Sequence, residues 1–327
     1  MNSKMNFRRK IIVLSALIVF LALVYIASFV FEPGRQGRHS FAFLDSKLLP
    51  LADRIEILGS GGNTVLSLRN NTWVFSSAAA EYPVKQGRVD DFLKVLSGRD
   101  AYSLRAASSE ANEKLGLVEG KASRIIIRGG AGLPLLDLLV GAGDALGREL
   151  YLRKAGAKEI YSGEDRFTLY TESRQSSWYD LRLFPAQNAS GMEASMVQQA
   201  EISFPVIDAN GFGVKQENYV LRRGSGGWII AGNSNDTLDN IKTEAWLRSV
   251  LDAEGEDFGI EAPAAPEGRI ILRFGDGSSR AMDAGPPDAD KRRYVTVSNS
   301  SLVYVLAEWT YNRMFRDRDY FLKEPKN

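Results

Sequence analysis

The chain has 327 residues, 44% of them hydrophobic and 25% charged, with a formal net charge of +1. That length and balance suit more than one folded unit and exclude a globally disordered chain, and the near-zero charge lacks the basic excess of a nucleic-acid binder. There is no cysteine and one histidine, His39, so disulfides, thiolate zinc sites, cysteine nucleophiles and two-histidine metal sites are excluded.

In chain order, residues 1–10 form a basic tail with Lys4, Arg8, Arg9 and Lys10 and no acid. Ile11 to Phe31 then carries no charge. At about 1.5 Å per residue the run spans roughly 30 Å as a helix, the thickness of a hydrocarbon core. Positive flanks stay in the cytoplasm, so a single-pass anchor with a cytoplasmic N-terminus and an extracytoplasmic bulk is expected. A cleaved signal peptide is the alternative. Its apolar core would be shorter, about 7–15 residues, and Tyr25 two positions before Ala27 is a poor cleavage context.

After a juxtamembrane segment, 32–50, the chain reads as two similar halves, 51–185 and 186–327. Short alternating apolar runs, Arg54-Ile55-Glu56-Ile57, Val65 to Leu68 and Thr72-Trp73-Val74-Phe75, read as strands joined by tight turns at Gly61-Gly62 and Asn70-Asn71. The second half offers Glu201 to Phe204, Tyr219 to Arg222 and Gly227-Trp228-Ile229-Ile230. A helix follows in each: Val89, Phe92, Leu93 and Leu96 fall at helical spacing, and Phe92-Leu93-Lys94 matches Trp246-Leu247-Arg248. Next come the strands Arg124 to Arg128 and Arg269 to Arg273, a glycine step at Gly141 and Gly285, the strands opening at Tyr151 and Tyr294, and short strands ending near Tyr161 and Tyr304. Both halves then run into a helix and close on one pattern, Trp178-Tyr179-Asp180-Leu181-Arg182-Leu183-Phe184 and Phe315 to Phe321. The shared order predicts an α+β fold: one N-terminal transmembrane helix followed by two tandem copies of a strand-rich α+β unit. The boundary is expected in Pro185 to Ser195, and Glu254 to Pro266 reads as a loop.

The order of Ile55-Glu56-Ile57, Trp73, Tyr82-Pro83-Val84, the helix through Val89 and Leu96, Leu115-Gly116-Leu117, Gly141, Tyr151-Leu152-Arg153, Tyr161 and Trp178-x-Asp180 resembles the bacterial family called domain of unknown function 4340. The resemblance runs from about Arg54 to Phe184, more weakly to Phe321, and includes the anchor. It implies a bacterial inner-membrane protein that accompanies an ABC transporter of the gliding-motility type, with transporter subunits as partners.

Several motifs invite a chemical reading. Gly116 to Lys121 is one residue short of a phosphate loop and has Ala122 where Ser or Thr should hold magnesium, so it reads as a turn. Gly141 to Gly147 resembles a dinucleotide fingerprint with a misplaced last glycine, and reads as a hairpin connection. Asp90-Asp91 and Asp288/Asp290 are carboxylate pairs of the kind a hydrolase uses, but their settings predict solvated positions. Trp73, Trp228, Tyr151 and Tyr294 are either ligand platforms or duplicated core positions, and core is the simpler reading. Asp180 and Asp317, each near a basic residue, Arg182 or Arg318, read as polar clasps, with a partner-docking corner as the alternative. The sequons at Asn71, Asn188, Asn235 and Asn299 have no meaning in a bacterial chain.

The expectation is a non-enzymatic interaction protein in a membrane complex, with no catalytic, cofactor or metal site. A binding module for a cell-wall polymer would need an exposed aromatic cluster, and a carboxylate-only hydrolase would need two acids facing one cleft.

Overall fold

The computed structural model describes residues 14–22, 25, 38–77, 80–108, 110–144, 146–185, 194–207, 214–232, 238–298 and 300–323. Residues 14–22 and 25 are helical. Among the described residues no helix is long and apolar enough to cross a membrane, and much of the 11–31 run and all of the 1–10 tail lie outside them. The chain divides into two compact units, 1–178 and 179–327, each with its own sheet. The fold is mixed α and β, as expected.

The first unit is built on ten strands: β1 (Arg38–Phe41), β2 (Ala52–Gly59), β3 (Gly62–Arg69), β4 (Thr72–Ser76), β5 (Glu81–Pro83), β6 (Asp100–Ala106), β7 (Ser123–Gly129), β8 (Leu133–Gly143), β9 (Glu149–Lys154) and β10 (Ile160–Glu164). They lie in the order β5-β4-β3-β2-β7-β8-β9-β10-β6-β1, and the pairings are antiparallel. Strict alternation explains the sheet: Ile55, Ile57, Ile125 and Ile127 are buried on one face while Glu56, Arg124 and Arg128 take the other. The β3–β4 turn runs through Asn70 and Asn71, both at positive φ, the twist that a tight hairpin demands. Helix α1 (Gln86–Ser97) buries Val89, Phe92 and Leu96, spaced to share one stripe. Two single turns, α2 (Ala111–Lys114) and α3 (Thr168–Thr171), also belong to the unit.

The second unit has eight strands: β11 (Val197–Ile207), β12 (Val214–Gly224), β13 (Gly227–Ile230), β14 (Asp257–Gly259), β15 (Gly268–Phe274), β16 (Ser279–Pro287), β17 (Arg293–Val297) and β18 (Val303–Leu306). Their order is β13-β12-β11-β15-β16-β17-β18-β14. Helix α4 (Asn240–Leu251) buries Trp246, Leu247, Val250 and Leu251, and its N-cap Asp239 accepts the Lys242 N–H at 3.0 Å. Helix α5 (Glu308–Met314) buries Thr310, Tyr311 and Met314.

Three features differ from the sequence reading. Strands β1, β5, β6, β8 and β16 went unread, and Glu254 to Pro266 holds the short strand β14 besides its loop. The expected boundary at 185/186 falls after the division at Trp178/Tyr179, and residues 186–193 lie outside the described ones. The reason is packing: Tyr179, Leu181, Leu183 and Phe184 are buried, and Leu183 and Phe184 belong to the second unit's core. This segment runs antiparallel to the stretch after α4, with Leu183 N–H donating to Ala253 O and Gly255 N–H to Leu181 O, both at 2.9 Å. It therefore opens the second unit instead of closing the first.

Candidate functional site

The two acids singled out in the sequence occupy different kinds of place. Asp180 lies in the opening segment of the second unit, where its carboxylate takes a two-pronged bond from Arg182, Nε at 2.8 Å and Nη2 at 2.5 Å. The Asp180 side chain is 15% exposed and that of Arg182 46%, so the pair is half-covered and local to one segment, two residues apart. That bond holds the Arg182 guanidinium above its ordinary pKa. Asp317 instead caps a 3-10 turn, Arg318–Phe321, by accepting the Tyr320 N–H at 2.9 Å. The Arg318 N–H points to Glu217 Oε1 at 3.4 Å. The first unit has a 3-10 turn, Gln175–Ser177, which Arg174 precedes. Asp180 follows one turn and Asp317 precedes the other, so the same aromatic–x–Asp spelling stands in two different local settings.

The remaining sequence candidates resolve into structure. Gly116 to Lys121 is a turn entering β7, with Gly116 and Gly120 at positive φ. Gly141 lies in β8, where a side chain would run into the Leu115 carbonyl, and the Ala142 N–H donates to that same oxygen at 3.0 Å. The rest of the Gly141–Gly147 motif turns into β9, pinned by Asp144 accepting the N–H groups of Arg148 and Glu149 at 2.7 and 3.1 Å. Asp90 and Asp91 are exposed on α1. Asp288 closes its own turn by accepting the Asp290 and Arg292 N–H groups at 2.9 and 2.8 Å. Desolvation works against its charge, but the bonds from Arg292 outweigh it and hold the carboxyl below its usual range. Trp73 and Trp228 are buried, whereas Tyr151 and Tyr294 are half-buried.

What the sequence reading missed is the polar face of each sheet, on the side of the strands opposite the buried residues. In the first unit Glu56 is held between Arg54 (2.8 Å) and Arg128 (3.4 Å) across β2 and β7. These partners, the hydrogen bond from Arg54 foremost, keep the Glu56 carboxyl below its usual range. Beside it Arg124 grips Asp137 with Nε at 2.8 Å and Nη2 at 2.6 Å. Farther along, Ser162 donates to Glu149 at 2.6 Å and Arg105 donates to both, and these bonds lower the Glu149 carboxyl as well. In the second unit Glu201 is held between Gln199 (3.0 Å) and Arg273 (2.6 Å), while Arg269 stands 3.3 Å from Asp283. A dish of about 360 Å³ opens on this face over β11, β12 and β15. The signal was present in the sequence as charges at the outward positions of Arg54-Ile55-Glu56 and of the strands Arg124 to Arg128 and Arg269 to Arg273. Alternation marks such residues as outward but does not say which strands are neighbours, and so hides the pairing.

A family model described as "Domain of unknown function (DUF4340)" matches residues 73–254, more than half of the chain and spanning parts of both units. No curated protein matches the chain.

Proposed function

Since the chain belongs to the DUF4340 family, whose description leaves function open, we propose that it is a membrane-anchored, non-catalytic interaction protein with both sheet units on the extracytoplasmic side of a bacterial inner membrane. The observation that carries this reading is the helical stretch 14–22, where Leu14, Leu17, Ile18, Val19, Phe20 and Leu21 are all between 53 and 62% exposed. A row of large apolar side chains left open on a helix calls for a cover, and hydrocarbon is the cover that an uncharged 11–31 run behind a basic tail fits. The partners are the subunits of an ABC-type transport complex, as the resemblance implies, and the charged sheet faces are suited to recognise them by charge complementarity.

The two units are read as tandem copies. Pairing β2, β3, β4, β7, β8, β9, β10 and β6 with β11, β12, β13, β15, β16, β17, β18 and β14 makes the two strand orders the same, with the edge strands β1 and β5 left over in the first sheet. Ile126 lies opposite Glu56 as Ile271 lies opposite Glu201. The Trp73 N–H donates to the side chain of Gln86 and the Trp228 N–H to that of Asn240, the first residue of the helix in each case.

A reporter active only outside the cytoplasm, fused after Asn327, should be active in cells, and the full chain purified from detergent-solubilised membranes should bring transporter subunits with it. Activity of a cytoplasmic reporter at the same place would overturn the orientation. Purification without such subunits would overturn the partner assignment.

A further inference from the structure

The dish on the second sheet has the chemistry of a ligand site, and the comparison with the first sheet shows why. At the matching place in the first unit Arg124 is engaged by Asp137 through two aligned bonds from its Nε–Nη2 edge to both carboxylate oxygens. Arg269, its counterpart by strand position, stands with Nε 3.3 Å from Asp283 Oδ1, too poorly placed to make a hydrogen bond to that oxygen. The Asp283 Oδ1 takes no hydrogen bond among the described residues, and the Arg269 side chain is 56% exposed. Its terminal N–H groups are therefore open to a planar anion, which a guanidinium holds in a two-pronged grip. Arg222 stands exposed on the same face of the sheet, one position beyond Leu221.

The rest of the wall is both donor and acceptor. Ser203 Oγ accepts from Gln216 Nε2 at 2.8 Å, which leaves its own proton to give. The Asn218 amide is exposed and offers both kinds of group. The Glu201 carboxylate is fixed by Gln199 and Arg273 and presents oxygen as acceptor. Val220 and Ile271 add aliphatic surface between these groups. The volume of about 360 Å³ lies at the small end of the range for small-molecule sites, about 300–1,000 Å³.

We propose that this dish binds a sugar acid, a small solute with one carboxylate beside several hydroxyl groups. The carboxylate meets Arg269, the hydroxyls bridge Ser203, Asn218 and Glu201, and the C–H edges of the ring rest on Val220 and Ile271. A phosphate ester suits the site less well, because its charge of about −1.5 to −2 would face the fixed carboxylate of Glu201. The inference does not rest on the membrane or partner reading.

The test is calorimetric titration of the full chain in detergent with sodium glucuronate, with glucose, acetate and glucose 6-phosphate in parallel. Saturable glucuronate binding is expected, at least about tenfold tighter than any of the other three, a difference of about 1.4 kcal/mol. Arg269→Gln should weaken glucuronate about tenfold or more, Arg269→Lys less, and Arg124→Gln on the other sheet not at all. Circular dichroism should be unchanged in each variant. No saturable binding, or unaltered affinity in a folded Arg269→Gln chain, would overturn the site. Acetate binding as tightly as glucuronate, or glucose 6-phosphate binding more tightly, would overturn the ligand class.

Discussion

In the first unit the helix contributes a phenyl ring to the core and the closing segment contributes an indole; in the second unit the two are exchanged. Phe92 on α1 meets Trp178 edge-on, with centroids 5.7 Å apart at 82°, and Trp246 on α4 meets Phe321 edge-on, 5.1 Å apart at 85°. All four rings are buried to 2% exposure or less. The exchange keeps the summed volume of the pair, which is what a close-packed core constrains. The hydrogen bonding is not kept. The Trp246 indole N–H donates to Met314 O at 2.9 Å, whereas the buried Trp178 indole nitrogen has no hydrogen-bond partner among the described residues, and the Arg88 guanidinium carbon lies over the Trp178 ring, 4.9 Å from its centroid. The two ring pairs thus meet edge-on alike but differ in polar wiring: the Trp246 indole has an acceptor and the Trp178 indole has none among the described residues.

The largest expected effect probes the ring pair. Trp246→Ala should destabilise the chain by about 3–5 kcal/mol in urea denaturation. Trp246→Phe keeps a ring but strands the Met314 carbonyl, and should cost about 1–3 kcal/mol. Trp178→Phe removes a donor that had no acceptor and should cost less. Equal losses at the two tryptophans would break the contrast in wiring, and partial rescue of Trp246→Phe by Phe321→Trp would sharpen the reading of the pair as one volume.

A middle-sized effect separates the two acids. Asp180→Asn loses a charge-assisted pair with Arg182, and because Arg182 is half-exposed the loss should be about 1 kcal/mol. Asp317→Asn should change thermal stability little, since asparagine caps as well as aspartate, while Asp317→Ala should cost about 0.5–1 kcal/mol. Identical behaviour of the two Asn variants would restore the idea that the acids occupy one repeated position.

The smallest effect concerns the polar face of the first sheet. Glu56 has its carboxyl lowered by Arg54 and Arg128, so its contribution to stability is present above the unfolded pKa of about 4.3 and is lost as pH falls through the lower folded value. Glu56→Gln should therefore narrow the gap between urea midpoints measured at pH 7 and at about pH 3. An unchanged gap would show that Glu56 is not what makes this face acid-sensitive.

Much of the architecture was legible. The alternation of Ile55, Glu56 and Ile57, the helical spacing of Val89, Phe92 and Leu96, and the burial of Trp73 and Trp228 all follow from local pattern, because a residue's outward or inward place depends on period alone. The turn at Gly116 to Lys121 and the hairpin at Gly141 to Gly147 followed from residues that local backbone geometry requires.

The candidate site was less legible. Glu56, Arg128, Glu201 and Arg273 lie 72 residues from their partners in sequence, and only strand order brings those charges together. The Trp178 to Phe184 segment shows the same limit from the other side. Its letters resemble Phe315 to Phe321, yet Trp178 packs on Phe92 while Leu183 and Phe184 enter the second core. The sequence by itself determined the periodicity, hence which side chains are buried and what kind of element each segment forms. Which strands are neighbours, where one unit ends, and whether an arginine is clamped like Arg124 or left open like Arg269 were decided by tertiary structure, because these depend on contacts between segments far apart in the chain.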